Sequence, residues 1–212
     1  DLFGLPLVIW SGTWKFSPEE VAQVVNPHRE HLLILASERN MEGYDRLHQL
    51  VDGNAYYWSS VNPETFPGYP EKLQQMGRMV HANGGLWIAP AAPGFDARLV
   101  GGTRVVERKN GETLRGQMEA ALRSSPDAIG LISWNEFSEN THIEPSEKYR
   151  TRYVELVADM RLGVVPDILN FESSEPAETQ SAPDRGRALA LATMALLIVG
   201  SLAAIALRRR PA

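Results

Sequence analysis

The chain has 212 residues, 43% of them hydrophobic and 22% charged, with a formal net charge of -5 and no cysteine. That composition suits one globular domain, or one with an appendage, and excludes a thiol nucleophile, a Cys-ligated metal and any disulfide framework. Five Arg and one Asp fall within 184–212, so residues 1–183 carry 16 basic and 25 acidic side chains. Such an acidic body argues against a nucleic-acid partner.

In chain order, residues 1–163 alternate short apolar runs with amphipathic stretches. The expected strands are Pro6–Trp10, Leu32–Ala36, Asn54–Trp58, Leu86–Ala89 and Ala128–Ser133. Ser17-Pro-Glu-Glu supplies an N-cap, a Pro at the first helical position and an acidic first turn for the first helix. Met41–Val51 puts Tyr44, Leu47 and Val51 on one helical face. Pro70–Ala82 carries Leu73, Met76 and Val80 at helical spacing and stops at Asn83-Gly84-Gly85. Gly111–Ser124 offers Leu114, Met118, Ala121 and Leu122, and Lys148–Leu162 offers Tyr153, Leu156, Val157 and Met160.

Alternating strands and helices imply an α/β fold with a parallel sheet. No Gly-x-Gly-x-x-Gly or Gly-x-x-x-x-Gly-Lys motif opens a helix, so a nucleotide-binding open sheet has little support. A complete (β/α)8 TIM-type barrel takes roughly 250 residues. Five units therefore read as the C-terminal part of an incomplete barrel, with open sheet edges. The chain starts Asp1-Leu-Phe-Gly, without an initiator Met, and reads as a fragment or a processed product.

After the domain, 164–187 is polar, acidic and Pro-containing and reads as a disordered linker. Residues 188–207 are uncharged, and at about 1.5 Å per residue they would span a bilayer core as a transmembrane helix. Arg208, Arg209 and Arg210 follow in a basic tail, 208–212, which the positive-inside rule places in the cytoplasm. The expectation is a single-pass membrane protein, with the lipid bilayer as one partner and the domain outside the cell. No Leu-Pro-x-Thr-Gly sorting signal precedes the span.

Chemistry in such barrels gathers at the C-terminal strand ends. Here these ends carry Trp10 and Trp14, Glu38 and Arg39, Tyr56, Tyr57 and Trp58, Asp96, and Trp134, Glu136 and Glu139. Aromatic rings stack on the C–H faces of sugars, though Trp10 and Trp58 read equally as core caps. Glycoside cleavage needs a proton donor and a second carboxylate, and crowding keeps one of two neighbouring acids protonated. Glu136 and Glu139 are the expected catalytic pair. Trp134, Asn135, Tyr56, Tyr57, Trp58, Asp96, His142 and Glu144 are the expected substrate-binding residues. Glu144 also reads as a loop brace before Pro145, and His142 as a loop organiser. His28 and His31 resemble a metal pair but precede a strand and lack an evident third ligand, so no metal or cofactor is expected.

Ser133-Trp-Asn-Glu-Phe-Ser-Glu-Asn-Thr-His-Ile-Glu-Pro145 resembles the Trp/Phe-Asn-Glu-Trp-x-Glu-Gly-Thr-x-Ile-Glu-Pro signature of glycoside hydrolase family 99, the endo-α-mannosidase-like enzymes. Asp52-Gly-Asn-Ala-Tyr-Tyr-Trp58 and Pro93-Gly-Phe-Asp96 resemble two further elements of that family, in the same order. The resemblance implies a barrel that cleaves α-mannosides internally with retention, through a 1,2-anhydro sugar. It implies Glu136 as the base on the sugar's own 2-hydroxyl, Glu139 as the general acid, and Tyr56 or Tyr57 as a substrate contact beside the base. Phe137 stands where the family usually has Trp, and Asn140 where it usually has Gly. These departures leave open an α-glucan substrate or a non-catalytic carbohydrate receptor.

Overall fold

The computed structural model describes residues 3–161. Five parallel strands form one sheet in the order β1 (Leu7–Trp10), β2 (Leu33–Ala36), β3 (Gly53–Ala55), β4 (Leu86–Ala91) and β7 (Ala128–Leu131), while β5 (Phe95–Asp96) and β6 (Val105–Val106) pair as a separate antiparallel hairpin. Helices α1 (Pro18–Val25), α2 (Met41–Asp45), α3 (Tyr69–Ala82) and α4 (Glu112–Arg123) lie in the crossovers, and α5 (Arg152–Arg161) follows β7. Strand neighbours follow chain order throughout, as in a partial TIM barrel.

Strand alternation sorts the apolar residues into two layers. Ile34, Ala36, Trp87 and Ala89 pack outward against Val21, Val25, Leu73, Met76 and Val80 of α1 and α3. Leu35, Ala55 and Ile88 form the inner face with Leu7, Leu86 and Ala128. The outermost strands β1 and β7 have no further strand beside them among the described residues. Val8, Ile9 and Leu131 on these strands are correspondingly exposed.

The expected helix ends are realised where side chains satisfy the orphan amides. Ser17 accepts from Glu20 N and Glu20 accepts from Ser17 N, a complete capping box ahead of Pro18. The second helix is shorter than its apolar pattern predicts. His48 Nδ1 donates to the Asp45 carbonyl at 2.6 Å, and Leu47 and Leu50 bond three residues back. The chain therefore tightens into turns after Asp45, while Leu47 and Val51 remain buried. The last helix begins at Arg152 rather than Lys148, because Arg150 adopts φ 51° in a turn closed by Ser146.

The Asp52-Gly53 pair that opens β3 serves packing. Asp52 Oδ2 accepts from Ile34 N at 2.7 Å, extending the β2–β3 contact. Gly53 has φ 154°, and a Cβ there would overlap the Leu86 carbonyl and lie 2.6 Å from Leu86 N. Gly53→Ala is expected to destabilise the protein by about 2–4 kcal/mol, through overpacking plus backbone strain. Urea unfolding of the full-length protein checks this, and an unchanged midpoint would refute it.

Among the described residues no helix is long and apolar enough to cross a membrane. The expected linker, transmembrane run and basic tail lie outside the described residues. His28 and His31 are exposed ahead of β2.

Candidate active site

The acidic loop leaves β7 and folds back on itself. Ser133 N donates to Thr141 O at 2.9 Å, Ile143 N to Ser133 O at 3.0 Å, and Glu144 N to Trp134 O at 2.8 Å. These bonds close a hairpin-like loop whose tip carries Glu136 and Glu139. Glu136 is held through its own backbone: its N–H donates to Ser133 Oγ at 2.9 Å and its carbonyl accepts from Thr141 N at 3.2 Å. The Glu139 carbonyl accepts from Asp96 N at 2.7 Å. The loop is thus held at both residues by backbone bonds and not through their carboxyl groups. Ser138 Oγ donates to Glu136 Oε1 at 3.3 Å.

The two acids differ in environment. Glu136 is exposed and Glu139 half-buried. Burial pushes the Glu139 carboxyl above its ordinary range, and the nearby Glu136 charge pushes it further. Glu139 thus favours the protonated form that a general acid needs.

Tyr57 is half-exposed, and burial, Glu139 and Glu136, in that order, raise its phenol. Its hydroxyl therefore lies within electrostatic reach of both carboxylates. Tyr56 points the other way. It is buried, its hydroxyl accepts from Lys72 Nζ at 2.9 Å, and desolvation raises its phenol. Trp58 joins Tyr56, Phe66 and Tyr69 in an aromatic cluster against α3. Of the three consecutive aromatics, only Tyr57 meets the acidic pair.

Trp134 and Asn135 are exposed beside Glu136. Phe137, 47% exposed, stacks on the His142 ring at 4.2 Å between centroids. His142 is buried, and its ring is held neutral, with its pKa lowered to about 4 by desolvation, then by Arg108 and Lys148. That placement makes it a support under Phe137. Asn140 takes φ 51°, the left-handed region, and its Oδ1 accepts from Tyr149 Oη at 3.1 Å. Asn therefore fills a position suited to Gly, with an added bond that glycine cannot make. Glu144 is half-buried where the loop returns.

Asp96 sits on a short hairpin absent from the sequence expectations, β5 (Phe95–Asp96) and β6 (Val105–Val106). Its carboxylate receives Arg98 Nε and Nη2, the latter at 2.6 Å, and Arg98 lowers its pKa. Asp96 thus meets the acidic loop through its backbone. Glu38, grouped by sequence with the rim acids, is buried against Arg46 at 2.9 Å and braces α2.

No protein-family model matches the chain, and no curated protein does. Solved structures do. The GH99 endo-alpha-mannosidase from Bacteroides thetaiotaomicron aligns over 77% of this chain and 56% of its own, with TM-score 0.58 and 21% identity. The fold is GH99-like. The complex of that mannosidase with bis-tris-propane aligns over 75% of this chain and 59% of its own, at TM-score 0.61 and 23% identity. A glycoside hydrolase-like protein aligns over 75% and 54%, at 0.57 and 17%. The chain therefore spans little more than half of each of these structures. Within the GH99-like frame, the acidic loop follows β7 and Tyr57 follows β3, both at C-terminal strand ends.

Sequence reasoning missed Arg108. It sits between two other charged residues, Glu107 and Lys109, with nothing in the pattern to single it out. In the structure it is 4% exposed and bonds to the acidic loop. Only the three-dimensional hairpin exposes this role.

Proposed function

We propose that the chain is part of a glycoside hydrolase that cleaves internal α-linked bonds, α-mannosides foremost, with retention. The observation that carries this reading is the pairing on one loop of an exposed Glu136 with a half-buried Glu139 whose carboxyl pKa is raised by burial and by Glu136, within electrostatic reach of Tyr57. The GH99-like fold supports the assignment of roles. Glu139 protonates the departing glycosidic oxygen. Glu136 removes the proton from the substrate's 2-hydroxyl, whose oxygen displaces the leaving group to form a 1,2-anhydro sugar. Water, deprotonated by Glu139, then attacks the anomeric carbon and opens that ring, while Glu136 returns its proton to the 2-oxygen. A nucleophile supplied by the substrate suits two carboxylates three residues apart. Trp134 and Asn135 flank the bond, and Tyr57 contacts the sugar beside the base.

The test is product analysis with the full-length protein on α-mannan. Oligosaccharides released from mid-chain, with the α-configuration kept in the first product, are expected. Binding of the glycan without release of any product would refute hydrolysis.

The uncharged run 188–207, its basic flank 208–210 and the acidic stretch before it support a single-pass anchor that holds this domain outside the cell. Protease added to intact cells is expected to remove the domain and leave a small membrane-bound stub. Complete protection would overturn the placement.

A further inference from the structure

The acidic loop is gripped from beneath by one buried cation. Arg108 leaves the β5–β6 hairpin and sends Nη2 to the Asn140 carbonyl at 3.0 Å and the His142 carbonyl at 2.7 Å. Its guanidinium lies over the Tyr149 ring at 4.1 Å and the Tyr153 ring at 4.3 Å. It therefore ties the loop to α5 and to the turn that precedes it.

The path of this side chain explains a glycine. Gly94, in Pro93-Gly-Phe-Asp96, has φ 156°, and a Cβ there would lie 2.6 Å from Arg108 Cγ and 2.8 Å from the Val106 carbonyl. The hairpin is thus shaped to let Arg108 through. Two residues from Gly94, Asp96 N holds the Glu139 carbonyl. The same hairpin grips the loop at two points: at Glu139 directly, and just beyond it through Arg108.

We propose that Arg108 is a positioning residue that sets the orientation of Glu139 relative to Glu136 by clamping the loop carbonyls immediately after the pair. It touches no reacting atom. One permanently charged nitrogen, Nη2, uses its two hydrogens on the two carbonyls, while the planar guanidinium lies flat against two aromatic rings, a fit that a compact lysine ammonium does not reproduce. The enclosing Tyr149 and Tyr153 rings add cation–π attraction and fix its plane. Removing the clamp frees residues 140–142 and with them the acid's angle to the scissile oxygen. Misplacement of about 1 Å costs on the order of 10²-fold in rate.

This inference rests on Glu136 and Glu139 being the reacting carboxylates, and the experiment separates the two. In the full-length protein, Arg108→Met is expected to lower kcat on α-mannan by about 10²-fold with KM little changed. On an α-linked disaccharide fluoride, whose leaving group needs no protonation, the loss in the fluoride-release step should be much smaller, because that step does not need the general acid. Hydrogen exchange at the Thr141 and Ile143 amides, which bond within the loop, should speed up.

Should Arg108→Met fail to fold, Arg108→Lys keeps the charge and loses the planar group that lies over the Tyr149 and Tyr153 rings, and carries the same test with a smaller drop in kcat. Wild-type kcat and unchanged exchange in the folded variant would overturn the inference. If Glu136→Gln and Glu139→Gln both retain activity, the carboxylate pair falls, and the inference with it. If both are inactive while the Arg108 variants turn over normally, only the inference falls.

Discussion

Replacing Glu139 with Gln is expected to lower turnover of an unactivated α-glycan by about 10²–10⁴-fold, the usual contribution of general acid catalysis. Gln keeps the shape of the side chain and its place in the loop, so the loss would report the missing proton. A fluoride leaving group should restore most of the first step for this variant. Glu136→Gln should not be restored in that way, because the base on the 2-hydroxyl is needed whatever departs. This asymmetry assigns the two roles, and equal behaviour of the variants on both substrates would refute it. The pH profile supplies a second signature. Burial and the Glu136 charge both raise the Glu139 pKa, so the protonated acid persists to higher pH than for an ordinary Glu. Activity should fall as pH rises through that raised value, and the fall should be lost in Glu139→Gln acting on the fluoride.

The largest effect on stability is expected at Trp87. Its side chain is fully buried between the sheet and α3, where Gly77 leaves room for the indole. Its Nε1 donates to Ser124 Oγ at 2.8 Å, joining β4 to the end of α4. Trp87→Ala would open a large cavity and leave that hydroxyl without its donor. A loss of about 3–5 kcal/mol is expected. Trp87→Phe should lose less, because it keeps most of the contact area and gives up mainly the hydrogen bond. Chemical denaturation of the full-length variants measures both, and a wild-type midpoint for Trp87→Ala would show that this layer does not carry the fold.

The sheet was legible because its strands are short apolar runs separated by capped amphipathic stretches. Ser17-Pro18 and Asn83-Gly84 mark helix ends by mechanisms that act over three or four residues. The β5–β6 hairpin was not legible, since two-residue strands are too short to show alternation. That Glu136 and Glu139 share one loop was readable from their spacing, because both lie in one continuous segment. The choice between Tyr56 and Tyr57 was not, because it depends on which way β3 ends. Lys72 and the Tyr69 cluster claim Tyr56, leaving Tyr57 for the cleft. Arg108 escaped for a related reason: its partners are carbonyls more than thirty residues away, and carbonyls leave no trace in a side-chain pattern.

Glu136 and Glu139, the proposed acid–base pair, ride on a single loop that is closed by its own backbone bonds from Ser133 to Glu144. On the proposed reading the acid and the base therefore move as one cassette. Sequence drift at the ends of β1, β2 and β3 can reshape which sugar is accepted without disturbing the distance between acid and base. Redesign of the proposed specificity would then start at Tyr57, at the end of β3, with the loop and the hairpin that holds it carried across unchanged.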